Sequence, residues 1–257
     1  MTLSPAACIE WLFPQSGPDL SDRVVAAKKA GFNAVEFHLW RDKPMSRIAQ
    51  ALTDHGVRVS SFCVDPRRSM IDPAEHDELV QAVRDSIEAG KALGSPPMIV
   101  ASGFNVPGMT HEEQHANAIV GLRRIADVAE EAGVILLLEP LNNRVELPLI
   151  YLSSTSQALD LIETVDSPNL RLLYDMYHSA VMEESVPGVL EGRMHLVHHV
   201  QVADTKGRHE PGTGDIDWDA AISELVRMGY DGAIGFEYLP TLPDDESTST
   251  AKARIGL

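Results

Sequence analysis

Short apolar, β-branched runs alternate along the chain with longer stretches in which apolar residues recur at roughly helical spacing. The runs at 7–11, 34–39, 57–64, 98–101, 134–139, 170–175, 196–202 and 232–237 read as strands. The stretches at 22–30, 45–55, 75–93, 112–132, 155–165 and 219–228 read as helices, with a weaker one at 181–193. Gly31, Gly56, Gly94 and Gly133 stand where helices should stop, as a left-handed C-terminal residue requires. Beyond Pro240 the helical pattern fades. The segment 243–250, PDDESTST, reads as a solvated loop, leaving a short turn at 251–255 to cover the last strand.

Strands alternating with helices imply a parallel sheet joined by right-handed crossovers. Eight such units in 257 residues predict a single (β/α)8 TIM barrel spanning 1–257, with its site at the C-terminal ends of the strands. A doubly wound sheet would want a Gly-rich first turn, and Phe13-Pro14-Gln15-Ser16-Gly17 is no dinucleotide fingerprint. No Gly/Ser-rich or Pro-rich linker divides the middle of the chain.

A formal net charge of -17 disfavours nucleic acid as a partner, since the surface should repel phosphate. Cys8 and Cys63 fall in no metal-binding or redox motif and read as two buried free thiols. Neither a signal peptide nor a membrane-spanning run is visible, so a cytoplasmic location is the expectation by default.

Candidate chemistry lies at the ends of the last four apolar runs. Glu139, Asp175, Gln201 and Glu237 follow one another at intervals of 36, 26 and 36 residues, the repeat of a βα unit. Each has an ordinary reading alone: Glu139 paired with Arg144, Asp175 capping a helix, Gln201 satisfying backbone groups, Glu237 paired with a surface lysine. Four together at the ends of strands five to eight point to one shared site. A carboxylate there loses hydration and must recover it from a cation or from donors. Three carboxylates and an amide oxygen form a hard, all-oxygen set suited to Mg²⁺ or Mn²⁺, with Co²⁺ also compatible, rather than a structural zinc. Glu139 and Glu237, three strands apart, could approach a substrate from opposite faces. One would remove the proton next to a polarised carbonyl and the other would deliver a proton to the neighbouring carbon.

His178 shares the loop of Asp175 and is expected to face the same cavity, binding a substrate hydroxyl or supporting Asp175. Along strand seven, His199 is in phase with Gln201 and should point inward, whereas His198 points outward. The loop 207–215, GRHEPGTGD, carries Arg208, a candidate cation for an anionic substrate group, with Glu210 placed to hold its guanidinium. Asn142, on the loop after strand five, completes the candidate substrate-binding set of His178, Arg208, Glu210 and Asn142.

The stretches LLLEPLNNR, LLYDMYHSAVMEE, HVQVADTKGRHEPGTGDIDW and GFEYLP resemble the xylose-isomerase-like barrels and, within them, the hydroxypyruvate isomerase family. The resemblance covers nearly the whole chain, and GRHEPGTG after a strand-end Gln is its most specific part. It implies a divalent metal held by Glu139, Asp175, Gln201 and Glu237. It further implies Glu139 and Glu237 as the acid/base pair and interconversion of hydroxypyruvate and tartronate semialdehyde through an enediolate. The chain departs from the family at Leu239, where a basic residue is usual, and at 143–149, where a Gly is expected. The bulky Glu10-Trp11 and Phe37-His38-Leu39-Trp40-Arg41 are also unusual. These departures leave the metal set intact and keep open a different 2-oxo acid, a small sugar, or a ketose 3-epimerase. The expected partner is a small molecule; related barrels often pair, so a homo-oligomer is compatible.

Overall fold

Eight parallel strands pair in chain order and close on themselves: β1 Ser4–Cys8, β2 Ala34–Phe37, β3 Arg58–Cys63, β4 Met98–Val100, β5 Leu136–Leu138, β6 Leu170–Asp175, β7 Val197–Val202 and β8 Ala233–Phe236. The computed structural model describes residues 3–257. Helices α1 Leu20–Lys29, α2 Met45–His55, α3 His76–Gly90, α4 His111–Ala132, α5 Thr155–Val165, α6 Met176–Val181, α7 Val186–Leu190, α8 Trp218–Arg227 and α9 Asp244–Arg254 complete the units. The (β/α)8 expectation holds, and no helix is long and apolar enough to cross a membrane among the described residues.

Local chemistry explains the ends of the helices. Asp19, Ser154 and Asp217 each accept a backbone N–H at the start of α1, α5 and α8. Thr110 and Glu113 form a reciprocal capping box on α4. Two stretches differ from the sequence reading. The weak helix at 181–193 shrinks to α7: α6 precedes it and ends at Val181, Glu183 takes a left-handed backbone, and Ser185 caps α7 with Pro187 in its first turn. The expected loop at 243–250 lies instead in α9. Its first turn holds Asp244, Asp245 and Glu246 and its last turn Lys252 and Arg254, charges that complement the helix dipole. The face it buries is made of Ser247, Thr248 and Ala251 rather than large apolar residues, so hydrophobic periodicity is silent there.

Strand alternation divides the barrel into two environments. Leu136, Leu138 and Leu172 belong to the main core, packed under the helices. Cys63, Ile99, Leu137 and Leu173 form a separate apolar cluster, as their opposite phase requires if they face the barrel axis. On the other side of the axis the interior is polar. Glu36, Ser61, His199 and Gln201 are all no more than 2% exposed and touch one another around the Glu36 carboxylate. An irregularity between β2 and β3 pairs Val35 with Val59 but Glu36 with Ser61. Both Ser60 and Ser61 thereby come within reach of that carboxylate.

Candidate active site

The four strand-end groups are each two residues beyond an inward position. Glu139 follows Leu137, Asp175 follows Leu173, Gln201 follows His199 and Glu237 follows Gly235, whose Cα faces the Glu36 carboxylate. All four therefore project toward the axis at the C-terminal rim. Glu139, Gln201, Glu237, His178 and Arg208 line one cavity of about 310 Å³. Asp175 reaches the same place through Arg208. Its Oδ2 accepts from Arg208 Nη2 at 2.9 Å, and Glu237 Oε2 accepts from the same nitrogen at 2.8 Å. Glu139, Asp175 and His178 each offer a ligand atom, all within 4.8 Å of one another.

The structure treats the other sequence candidates differently. His178 is buried and takes its orientation from Asn142. The backbone N–H of Asn142 donates to His178 Nδ1 at 3.0 Å, which leaves the proton on Nε2, 3.5 Å from Asp175 Oδ2. Burial lowers the His178 pKa and favours the neutral ring, while Asp175 pulls the other way. Asn142 itself is fully buried. Its amide meets His178, and its oxygen accepts from the backbone of Val145 and Glu146, so it shapes the loop instead of facing the cavity. Glu210 does not hold Arg208. Its carboxylate turns away to accept from Thr241 N and Oγ1, Leu242 N and Ser247 Oγ, fastening the segment after β8 and the start of α9. Four donors from one neighbouring segment outcompete a guanidinium already taken up by three carboxylates.

Those three are Asp175, Glu237 and Glu146, the last 3.3 Å from Arg208 Nη1. The guanidinium is also sandwiched between Trp11 and Tyr177, its carbon 4.6 and 4.9 Å from the ring centroids. Electrostatics at the rim are accordingly uneven. Glu139 keeps an edge open to the cavity but is otherwise enclosed by protein. Burial, then the neighbouring Glu237 and Asp175, push its pKa well up. Asp175 is raised by burial and partly relieved by His178 and Arg208. In Glu237 burial is outweighed by Arg208 and His38, and its carboxyl is held down to about 2.

Several residues at the site carried no such role in the sequence reading. His38 Nε2 lies 2.6 Å from Glu237 Oε1, and Trp11 stacks on Arg208, so two of the bulky departures in the first two units face the cavity. Arg67 lines the cavity from the segment after β3, with no ion-pair partner among the described residues, while neighbouring Arg68 is paired with Glu78. Glu36 sits beneath the rim in contact with Gln201. An acid inside the apolar run Ala34–Phe37 was the available signal for it. Arg144 pairs with Glu183 and leaves Glu139 alone, and both thiols are free and buried.

The residues present suit a divalent cation. Two carboxylate oxygens already share one positive nitrogen, and Gln201 Oε1, buried at the same rim, has no hydrogen-bond partner. Every donor in the set is oxygen, as Mg²⁺ and Mn²⁺ prefer.

A closed eight-stranded barrel with acids and an amide converging at its C-terminal rim defines a metal-compatible TIM-barrel site. The chain matches the xylose isomerase-like TIM barrel family over residues 24–254 and belongs to it. It is 30% identical over 229 residues to a hydroxypyruvate isomerase of Escherichia coli K12, covering 86% of this chain and 88% of the relative. It is also 30% identical to a 2-oxo-tetronate isomerase of Pectobacterium atrosepticum, covering 85% and 86%. A crystal structure described as an AP endonuclease, family 2, from Brucella melitensis superposes with a TM-score of 0.89 at 26% identity, covering 97% of this chain and 98% of that one. The curated relatives are isomerases by name, and the chain is an isomerase-class enzyme by this kinship.

Proposed function

We propose that this enzyme isomerises a small 2-oxo acid carrying a hydroxyl on the adjacent carbon, hydroxypyruvate being the simplest, with Glu139 and Glu237 as its acid/base pair. The observation that carries this reading is the convergence of Glu139, Asp175, Gln201 and Glu237 on a cavity of about 310 Å³. Ligand cavities run from roughly 300 to 1,000 Å³, so this one suits a substrate of a few carbons. Relatives of similar length acting by name on hydroxypyruvate and on 2-oxo-tetronate support the same substrate class.

Glu139, Asp175, Gln201 and Glu237 would hold the divalent ion, which when bound supplies a Lewis acid that polarises the substrate carbonyl and acidifies the adjacent C–H. One glutamate takes the proton from the hydroxyl-bearing carbon, and the electron pair becomes the C=C bond of an enediolate. The other glutamate delivers a proton to the former carbonyl carbon. The proton of the hydroxyl oxygen moves to the old carbonyl oxygen, so the first becomes the new carbonyl oxygen and the second the new hydroxyl. No electrons leave the substrate.

Positioning falls to the remaining side chains. His178, with its proton on Nε2, is a donor for a substrate oxygen at the rim. Arg67 is the cavity guanidinium with no carboxylate of its own and takes the substrate carboxylate. Arg208, clasped between Trp11 and Tyr177, balances the acids around it. Incubation with hydroxypyruvate and with 2-oxo-tetronate in the presence of Mn²⁺ or Mg²⁺ tests the reading. Formation of the aldehyde isomer from hydroxypyruvate or of the 3-oxo isomer from 2-oxo-tetronate is expected, and no turnover on any short hydroxy-oxo acid would refute it.

A further inference from the structure

The two ends of a glutamine amide have nearly the same shape and opposite polarity, so its orientation is decided by what it faces. In this barrel one end of the Gln201 amide faces Glu36. Gln201 Nε2 donates to Glu36 Oε1 at 2.8 Å, and Gln201 Oε1 is left buried without a partner at the cavity rim. We propose that Glu36 is a positioning residue that locks the Gln201 amide with its oxygen toward the metal position; this rests on the metal-site reading above.

The contact is built from four strands. Glu36 Oε2 meets His199 Nε2 at 2.6 Å, with Ser61 Oγ at 3.2 Å and Ser60 Oγ at 3.4 Å. Gly235 makes room for it from β8, since a Cβ there would lie 2.4 Å from Glu36 Oε1. Glu36, His199 and Gln201 are all no more than 2% exposed. An ionised carboxylate only accepts hydrogen bonds. Turning the amide over would set Gln201 Oε1 against Glu36 Oε1 and point an N–H₂ at the cation. The carboxylate thus selects the one amide orientation that can ligate a metal, without touching substrate or ion itself.

Isothermal titration of the full-length protein with Mn²⁺ tests this in wild type, Glu36→Gln, Gln201→Ala and the double variant. The Glu36→Gln side chain keeps the shape but can donate to Gln201 Oε1, which frees the amide to turn. Glu36→Gln is expected to weaken Mn²⁺ binding about 10- to 100-fold. In the Gln201→Ala background it should cost no more than about twofold, because no amide remains to orient. Gly235→Ala provides a second perturbation, pressing on the Glu36 carboxylate from β8, and should weaken Mn²⁺ in the same way if Glu36→Gln does not fold. Unchanged affinity in the folded variant, or an equal loss with and without Gln201, would overturn the positioning role while leaving the metal site standing. Wild-type protein that binds no Mn²⁺ would instead overturn the metal reading, and this inference with it.

Discussion

Arg208 and Glu237 share a buried ion pair at 2.8 Å, and the same Arg208 nitrogen is 2.9 Å from Asp175. One cation therefore offsets two carboxylates that burial would otherwise force to take up protons. Arg208→Gln should destabilise the metal-free protein by about 3 kcal/mol, since breaking a buried pair leaves an uncompensated charge. Added Mn²⁺ should restore part of that loss and should stabilise the variant more than wild type. Urea unfolding of both proteins with and without Mn²⁺ measures this; a variant as stable as wild type without the ion would contradict it.

Arg67 differs from Arg208 in being exposed and free of ion pairs among the described residues. Arg67→Met is expected to raise KM for a 2-oxo acid by roughly 10- to 100-fold, the worth of one charge-assisted contact. The unfolding midpoint should not move, and kcat should change little. Steady-state kinetics across a substrate concentration series gives the split. A fall in kcat at constant KM would remove Arg67 from substrate binding.

The contact between Asn142 and His178 separates a positioning role from a direct one. Asn142→Ala removes the acceptor for two backbone N–H groups and lets the His178 ring turn. Stranding buried donors costs roughly 1–3 kcal/mol each before relaxation, so a drop of about 2 kcal/mol in stability is expected. His178→Asn should instead leave stability closer to wild type while lowering kcat/KM by tenfold or more. Equal activity in wild type and His178→Asn would take His178 out of the site.

Much of the fold was legible because the βα units declare themselves by periodicity and, in the first half of the chain, by a glycine at or just past the helix end. The strand bounds moved by only a few residues, and β6, α2 and α5 fall where the pattern predicts them. α9 was not legible, since its buried face is serine, threonine and alanine, with Ser247 held by hydrogen bonds to Glu210 and Tyr238. The convergence of the four strand-end groups followed from their spacing. Side-chain direction did not, and Glu210 illustrates why. In the loop it stands two residues from Arg208, but its carboxylate is recruited by donors that lie more than thirty positions on. Arg67 and His38 lie just past β3 and β2, where a barrel presents its site, but no sequence motif sets them apart.

Glu210 has a consequence for acid stability. Burial raises its pKa, but donors from Thr241 and Ser247 outweigh this and hold the carboxyl below the usual glutamate range. A carboxyl with a folded pKa below its unfolded one contributes stability that is complete above the unfolded value. That stability is lost as pH falls through the folded one. Glu210→Gln should therefore lower stability by about 2 kcal/mol at neutral pH and by progressively less below pH of about 4. Urea midpoints for both proteins from neutral pH downward check the sign. A gap that widens toward acid would contradict it.

The central claim is that Glu139 and Glu237 carry a proton between adjacent carbons of a small hydroxy-oxo acid. The most direct test follows the reaction with hydroxypyruvate and Mn²⁺ in D₂O by NMR, comparing wild type with Glu139→Gln and Glu237→Gln. Wild type should form the aldehyde isomer with deuterium at the former carbonyl carbon, delivered there by the second glutamate. Each variant should lose product formation by roughly 10²- to 10⁴-fold while remaining folded. Retention of near-wild-type turnover and deuterium incorporation in both variants would contradict the acid/base assignment.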